Sequence, residues 1–199
     1  MIIDISSNNS NVVWSKVKPA ILGAMLKANE GVGCMDSKFV YNATQCHLLG
    51  IDFGAYHFAT LNVPDVVTDA TAEANYFIAS LSNIPETKLP LALDIETNKM
   101  NLPPAQVILW AKTFFNVLRE AGKTNLMLYS GLAFFESEHF VAADFPNIKI
   151  WIAEYNNGAA PKVPVGLPDW YWWQYSDAAT VPGITGHVDV SKVNPAHLS

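Results

Sequence analysis

Short apolar segments recur along the chain and predict β-strands. In most of them hydrophobic residues alternate with small or polar ones, and a polar turn, a glycine or a proline follows. In a strand, successive side chains point to opposite faces, so one face of each segment is apolar throughout. The predicted strands are residues 2–5, 21–28, 54–58, 91–97, 125–129, 149–155, 171–175 and 187–190.

Between several of these strands, apolar residues recur every three or four positions and predict helices. Asp65 is placed to cap one helix, Pro103–Pro104 to begin the longest one, and Gly50 and Gly122 to follow helix ends. The predicted helices are residues 39–49, 65–81, a long segment from 103 to just before 122, and 132–140, and residues 14–17 are predicted to form a short amphipathic turn.

The alternation of strands and helices predicts an α/β fold with parallel strands. About eight short strands favour a single closed (β/α) TIM-like barrel. A regular barrel of this kind takes about 250 residues, whereas this chain has 199. We therefore expect an irregular barrel with reduced helices on the late strands, formed by residues 1–199 as one domain.

Composition narrows the class of partner. The formal net charge is −6 and the pI is near 5.2, which argues against nucleic acid, because a phosphate backbone requires a basic face. The sequence shows no basic amphipathic segment and no apolar run of about 20 residues, so no membrane partner is expected. The first residues lack the features of a signal peptide.

The two cysteines, Cys34 and Cys46, provide neither a disulfide framework nor a metal site. Cys46 falls on the apolar face of a predicted helix. We expect free buried thiols, with a single disulfide as the alternative.

The segment 91–97, Leu-Ala-Leu-Asp-Ile-Glu-Thr, carries the most informative pair of polar residues. Asp94 and Glu96 are two positions apart at the end of a predicted strand and therefore share a face. Two close carboxylates resist ionising together, which raises the pKa of one of them, as a general acid requires. The alternative is an ordinary solvated turn in which Glu96 is exposed and idle.

Carboxylates also occur near the ends of other strands. Asp4 ends the first predicted strand and Asp189 lies in the last one, and first and last strands are neighbours in a barrel. Side chains at the carboxyl ends of barrel strands converge on one mouth. Aromatic residues lie on strand segments too, where they either wall a sugar site or belong to the core: Tyr56, Phe58, Tyr129, Trp151, Tyr155, Trp172 and Trp173. An acidic mouth with aromatic walls indicates a carbohydrate ligand.

Some further residues are weighed individually. Lys27 and Glu30 either reach the mouth or form an internal ion pair. Tyr56 and Tyr129 are favoured as substrate contacts, because a phenol both stacks and forms hydrogen bonds. His57 alternates away from Tyr56 and is interpreted as a core histidine. No histidine has metal-ligand spacing.

Taken in order, short motifs across nearly the whole chain resemble the glycoside hydrolase family 25 lysozymes, the Chalaropsis-type N-acetylmuramidases that include phage endolysins. The matching pieces are I-D-I-S at 3–6, K-A-N-E-G at 27–31, G-A-Y-H-F-A at 54–59, L-D-I-E at 93–96, L-Y-S at 128–130, W-I-A-E-Y at 151–155, W-Q-Y-S at 173–176 and V-D-V at 188–190. The resemblance implies an irregular, flattened (β/α) barrel.

The resemblance also implies an activity, namely hydrolysis of the β-1,4 bond between N-acetylmuramic acid and N-acetylglucosamine in peptidoglycan. Glu96 would be the general acid, and Asp94 would assist it and orient the substrate acetamido group, which would act as the nucleophile. Asp4 and Asp189 would line the same mouth. The residues expected to bind the glycan are Tyr56, Tyr129, Lys27, Glu30, Trp151, Tyr155 and Gln174.

The resemblance implies no cofactor and argues against a metal held by the carboxylates. We expect a monomer that acts on the bacterial cell wall, without a separate wall-binding domain. Because no signal peptide is recognised, release would depend on a holin, on virion delivery or on fusion to a longer protein.

Two departures from the family pattern concern fine substrate positioning. Asn29 stands where the family commonly has threonine, and Asp189-Val190-Ser191 replaces an Asp-Leu-Asn type of sequence. Two other functions remain as alternatives: a peptidoglycan-binding module without catalysis, and a related hydrolase of chitin-type acetamido sugars.

Overall fold

A computed structural model describes residues 1–9, 11–62 and 65–197. The strands are β1 (Ile2–Ile5), β2 (Gly23–Glu30), β3 (Cys34–Met35), β4 (Phe53–Phe58), β5 (Leu91–Asp94), β6 (Leu126–Gly131), β7 (Lys149–Ala153), β8 (Trp172–Ala179) and β9 (Val188–Val193). The α-helices are α1 (Trp14–Val17), α2 (Phe39–Leu49), α3 (Val66–Leu81), α4 (Pro104–Glu120) and α5 (Leu132–Ser137).

The strands form one sheet that closes on itself. Their order is β1-β9-β8-β7-β6-β5-β4-β2-β3, and β1 also pairs with β2, which completes a barrel. Within the described ranges the barrel has eight strands, and the two-residue β3 pairs with the end of β2 outside it. The predicted irregular (β/α) barrel is confirmed.

The last strand differs from the expectation of parallel strands. β9 runs antiparallel to both of its neighbours, β1 and β8, while the other barrel strands pair in parallel. Only residues 180–187 connect β8 to β9. A parallel crossover takes about a dozen residues or more, so this short connection produces an antiparallel pair.

The predicted helix boundaries follow from local chemistry. The Asp65 side chain accepts a hydrogen bond from the Thr68 backbone N–H and caps α3. Pro103 precedes the first residue of α4, and Gly50 ends α2 with a left-handed φ of 64°. Residues 154–171, all described, connect β7 to β8 as a loop, so the predicted loss of helices on the late strands is confirmed.

Two hydrophobic layers result from the period-2 alternation of the strands. The outer layer packs between strands and helices and includes the fully buried Phe77, Phe114 and Trp110. The inner layer fills the barrel and consists of Ile2, Met25, Ala92, Met127, Tyr129, Trp151 and Trp172. On three strands, the residue two positions after an inner-layer residue is charged and lies on the same face. Asp4 follows Ile2 in this way, Lys27 follows Met25, and Asp94 follows Ala92. The barrel interior therefore changes from apolar to charged towards one end.

His57 lies in the outer layer, as predicted. It is fully buried, its Nε2 is 2.6 Å from Glu73 Oε2, and its Nδ1 is 2.6 Å from Asn29 Oδ1. The ring also stacks on Phe114, with centroids 5.1 Å apart. Asn29, the departure from the family threonine, donates in turn to Ser80 Oγ. Asn29 thus joins β2 to α3 behind the barrel wall.

The cysteines are both free, and the prediction that both are buried is wrong for Cys34. Cys34 is exposed because it lies on the two-residue β3, which pairs with the end of β2 at the edge of the sheet beyond the barrel. Cys46 is buried on the inner face of α2, and burial raises its pKa to about 12. Among the described residues, no helix is long and apolar enough to cross a membrane.

Candidate active site

A cavity of about 200 Å³ opens at the charged end of the barrel. It is bounded by the carboxyl ends of the parallel strands, where barrel enzymes carry their chemistry. Its lining consists of Asp4, Ser6, Asn8, Lys27, Tyr56, Phe58, Asp94, Glu96, Tyr129, Trp151 and Asp189. The carboxylates expected from the sequence thus meet in one place, and we call Asp4, Asp94, Glu96 and Asp189 the carboxylate cluster.

Strand geometry explains how distant residues assemble this cluster. Asp94 is the last residue of β5, and Glu96 follows it by two positions, so both face the cavity. Asp4 and Asp189 are directly opposite partners in the β1–β9 pair. Asp189 lies near the beginning of β9, not at a carboxyl end. It reaches the mouth because β9 runs in the reverse direction.

Asp94 is the most enclosed member of the cluster. Its side chain is largely buried, with 7% of the residue exposed, and Oδ1 has no hydrogen-bond partner among the described residues. Burial raises the pKa of Asp94 well above its usual range, and the charges of Glu96 and Asp4 raise it further. Asp94 therefore lines the cavity and carries one buried acceptor that no side chain or backbone group satisfies among the described residues.

Glu96 is more accessible than Asp94, and its pKa is also raised. Burial of its carboxyl group raises the pKa of Glu96, Asp189 raises it further, and the Lys27 ammonium opposes the shift. The residue as a whole is exposed, which leaves it open to a ligand. A carboxyl group that is accessible and retains its proton to higher pH is suited to act as a general acid.

Asp4 and Asp189 form a pair of their own. Burial raises the pKa of both carboxyl groups. The two residues are opposite partners in the β1–β9 pair, and the negative charge of Asp189 raises the pKa of Asp4 further. The pair can therefore carry one negative charge beside Glu96 instead of two.

For Lys27 and Glu30 the sequence left two arrangements open, contact with the mouth or an internal ion pair, and Lys27 takes part in both. Lys27 Nζ is 2.7 Å from Glu30 Oε2, so the ion pair exists, and the ammonium lies 4.8 Å from the centre of the Phe58 ring. Lys27 also lines the cavity, whereas Glu30 does not. Among the cluster's neighbours, Lys27 supplies the positive charge that lowers the pKa values of Asp94 and Glu96.

The aromatic residues divide between cavity wall and core. Tyr56, Phe58, Tyr129 and Trp151 line the cavity, and Trp151 meets Tyr129 edge to face with centroids 4.6 Å apart. Tyr155 is 54% exposed and lies outside the lining, beyond the end of β7. Trp172 and Trp173 are buried in the inner and outer layers, respectively.

Gln174 is expected from the sequence to bind the glycan, but it does not line the cavity. It is 1% exposed and absent from the cavity lining. Its side chain contacts Asp4, Tyr129 and Tyr155 by hydrogen bonds.

Ser6 and Asn8, which line the cavity, were not singled out from the sequence. The available signal was their position in the polar turn that follows Asp4.

Comparison with known proteins identifies the family to which this chain is similar. The sequence profile of glycosyl hydrolases family 25 matches residues 3–184. Lysozyme M1 of Streptomyces globisporus is 33% identical over 204 residues, which cover 96% of this chain and 67% of that protein.

Solved structures agree with the sequence comparison. The bacterial lysozyme from Streptomyces coelicolor has a TM-score of 0.84 at 32% identity, covering 98% of this chain and 93% of that one. The spore cortex lytic enzyme SleM of Clostridium perfringens has a TM-score of 0.87 at 26% identity, covering 98% of this chain and 67% of that one. The chain belongs to glycosyl hydrolases family 25. It is a glycoside hydrolase, as the motifs indicated.

Proposed function

We propose that this protein is a lysozyme that cleaves the β-1,4 bond between N-acetylmuramic acid and N-acetylglucosamine in peptidoglycan glycan strands. The observation that carries the proposal is the carboxylate cluster, because its members surround one cavity and their pKa values are raised together. The names of similar proteins support the substrate: lysozyme M1, at 33% identity, and the autolytic lysozyme of Clostridium acetobutylicum, at 25%.

Glu96 is the general acid in this proposal. As the glycosidic bond breaks, Glu96 gives its proton to the leaving oxygen, which departs as the free hydroxyl of the next sugar. The raised pKa of Glu96 keeps that proton available at higher pH than an ordinary glutamate would. Its exposure allows contact with a glycan strand lying across the mouth.

Asp94 orients the substrate acetamido group. Its buried Oδ1 lacks a partner, and an acetamido N–H is a donor of the kind that it needs. The acetamido oxygen then attacks the anomeric carbon while the leaving oxygen takes the proton of Glu96. Water later opens the resulting ring and restores the acetamido group, and the proton released returns to the glutamate.

Asp4 and Asp189 stabilise charge, and other residues position the strand. The transition state of glycoside cleavage is cationic, so nearby negative charge lowers its energy. Tyr56, Tyr129 and Trp151 provide ring faces and hydroxyls at the wall, Lys27 with Glu30 provides polar contacts at its edge, and Tyr155 meets the strand outside the cavity. The protein acts at the bacterial cell wall as a monomer, without a cofactor.

The test is a digest of chemically defined peptidoglycan, with the products read by mass spectrometry. The proposal predicts fragments whose reducing ends are N-acetylmuramic acid. Fragments ending in N-acetylglucosamine would assign the cut to the other bond. Turnover of soluble chitin oligomers in preference to peptidoglycan would favour the chitin-type alternative, and binding without any product would favour a binding module.

Lys27 provides a test of the electrostatics. Because its charge lowers the pKa values of Asp94 and Glu96, the Lys27→Met variant should raise both. Activity requires protonated Glu96 and is lost as the pH rises through the pKa of Glu96. The alkaline limb of the activity–pH profile should therefore move to higher pH in Lys27→Met.

A matched control removes a lysine charge far from the cavity. Lys123 lies between α4 and β6, at the opposite end of the barrel, so Lys123→Met should leave the profile in place. An alkaline limb that moves to lower pH in Lys27→Met, or does not move, contradicts the assigned role of Lys27.

A further inference from the structure

Gln174 connects three residues of the proposed site through a single buried amide. Its Nε2 donates to Asp4 Oδ2 at 3.0 Å. Its Oε1 accepts from the hydroxyl of Tyr129 at 2.9 Å and from the hydroxyl of Tyr155 at 2.8 Å. These contacts join β1, β6, β8 and the loop after β7 beneath the cavity.

The orientation of this amide follows from its contact with Asp4. Asp4 Oδ2 accepts a hydrogen bond from the amide, and this bond lowers the pKa of Asp4. An acceptor requires the NH₂ end of the amide. The carbonyl end of Gln174 must then face the two tyrosines.

Each of the two tyrosines therefore already donates its hydroxyl hydrogen to Gln174. A phenol has one O–H hydrogen and two acceptor lone pairs. Tyr129 and Tyr155 each give that hydrogen to Gln174, so towards a ligand each hydroxyl offers lone pairs alone. Without Gln174, each hydroxyl would be free to rotate and donate.

We propose that Gln174 is a positioning residue that makes Tyr129 and Tyr155 obligate acceptors for hydroxyl and amide N–H donors of the glycan. This inference rests on the proposed function, since it assigns the wall of that same site. It predicts that sugars presenting donors at these tyrosines are selected over sugars presenting ether or ester oxygens there. Gln174 itself touches no substrate.

The first test measures binding without turnover. The probe is a purified disaccharide-repeat fragment of peptidoglycan, titrated calorimetrically into proteins that carry Glu96→Gln. Adding Gln174→Met, which has similar size but no amide, should weaken binding about tenfold, or about 1.4 kcal/mol. Adding Tyr129→Phe should then weaken binding less in the Gln174→Met protein than in the protein that retains Gln174.

A second variant separates the two ends of the amide. Gln174→Glu still accepts from both tyrosines but has no donor for Asp4 and adds a negative charge beside it. Fragment binding should stay within about threefold of the Gln174 protein, which corresponds to about 0.6 kcal/mol. The pKa of Asp4, followed by carboxyl ¹³C NMR without substrate, should rise. Gln106, exposed on α4, provides the control variants Gln106→Met and Gln106→Glu.

Opposite results identify which proposal fails. If Gln174→Met lowers thermal stability but leaves fragment affinity unchanged, Gln174 is structural only and this inference is overturned. If Gln174→Met does not fold, the Gln174→Glu variant decides. Fragment binding weakened by more than about threefold, together with an unchanged pKa of Asp4, would also overturn this inference. Full hydrolytic activity of Glu96→Gln would overturn the proposed mechanism instead, and the Gln174 variants would then be compared with the product disaccharide, which has no bond left to cleave.

Discussion

Replacing Glu96 by glutamine should lower kcat on peptidoglycan by about 10²- to 10⁴-fold, the contribution of a positioned general acid. Glutamine has nearly the same shape as glutamate, but its amide gives up no proton to the leaving oxygen. Because Glu96 is exposed at the mouth, the substitution creates no buried cavity, and the fold should survive. Release of reducing ends from purified cell wall measures the effect.

The matched control is Glu120→Gln, at the exposed last residue of α4, which should keep full activity. Binding of peptidoglycan fragments to Glu96→Gln should stay within a few-fold of wild type, since proton donation is lost and contacts are not. Near-wild-type hydrolysis by Glu96→Gln would show that another residue supplies the proton.

Replacing Asp94 by asparagine should lower kcat by about 10²-fold, the cost typical of losing one aligned electrostatic contact. An asparagine side chain of the same size still accepts a hydrogen bond through its oxygen, but it cannot ionise. It therefore gives no charge-assisted bond to the acetamido N–H when that group becomes cationic in the reaction. The charge of Asp94 also raises the pKa values of Tyr56 and Tyr129, and that contribution is lost as well.

The same variant should be more stable than wild type at pH 7. The raised pKa of Asp94 means that the native state holds a proton which the unfolded state releases near pH 4. Stability is therefore full below the unfolded pKa and is lost as the pH rises through the folded pKa. Asparagine avoids this loss, by about 1 kcal/mol, the scale for an unsatisfied buried group.

Urea unfolding at pH 4 and pH 7 measures the difference. The stability advantage of Asp94→Asn should be larger at pH 7, and Asp52→Asn, at a half-buried aspartate paired with Lys88, should show none. Asp94→Asn with lower stability at pH 7, or with undiminished activity, would contradict the assigned burial and role.

The carboxylate cluster was predictable because strand alternation is local. Asp94 and Glu96 share a face by a period of two, and both face the cavity. The pairing of Asp4 with Asp189 followed from barrel closure, which the number of short strands suggested. What the sequence missed was the direction of β9, although the short connection 180–187 already contained that information.

Other features depend on contacts between residues that are distant in sequence. Gln174 belongs to an ordered motif, but its position beneath the cavity depends on the register of β8 against β7 and β9. The exposure of Cys34 depends on where the barrel closes, since β3 falls outside it. Periodicity within one segment predicts which face a residue occupies, but it does not predict what lies opposite that face.

The central claim is that the cluster keeps Glu96 protonated where an ordinary glutamate has ionised. A carboxyl ¹³C NMR titration of the wild-type protein, with the Glu96 resonance assigned by its absence in Glu96→Gln, measures this directly. We expect a midpoint clearly above the usual glutamate pKa of about 4.3, because burial and Asp189 raise the pKa of Glu96. A midpoint at or below that value would contradict it.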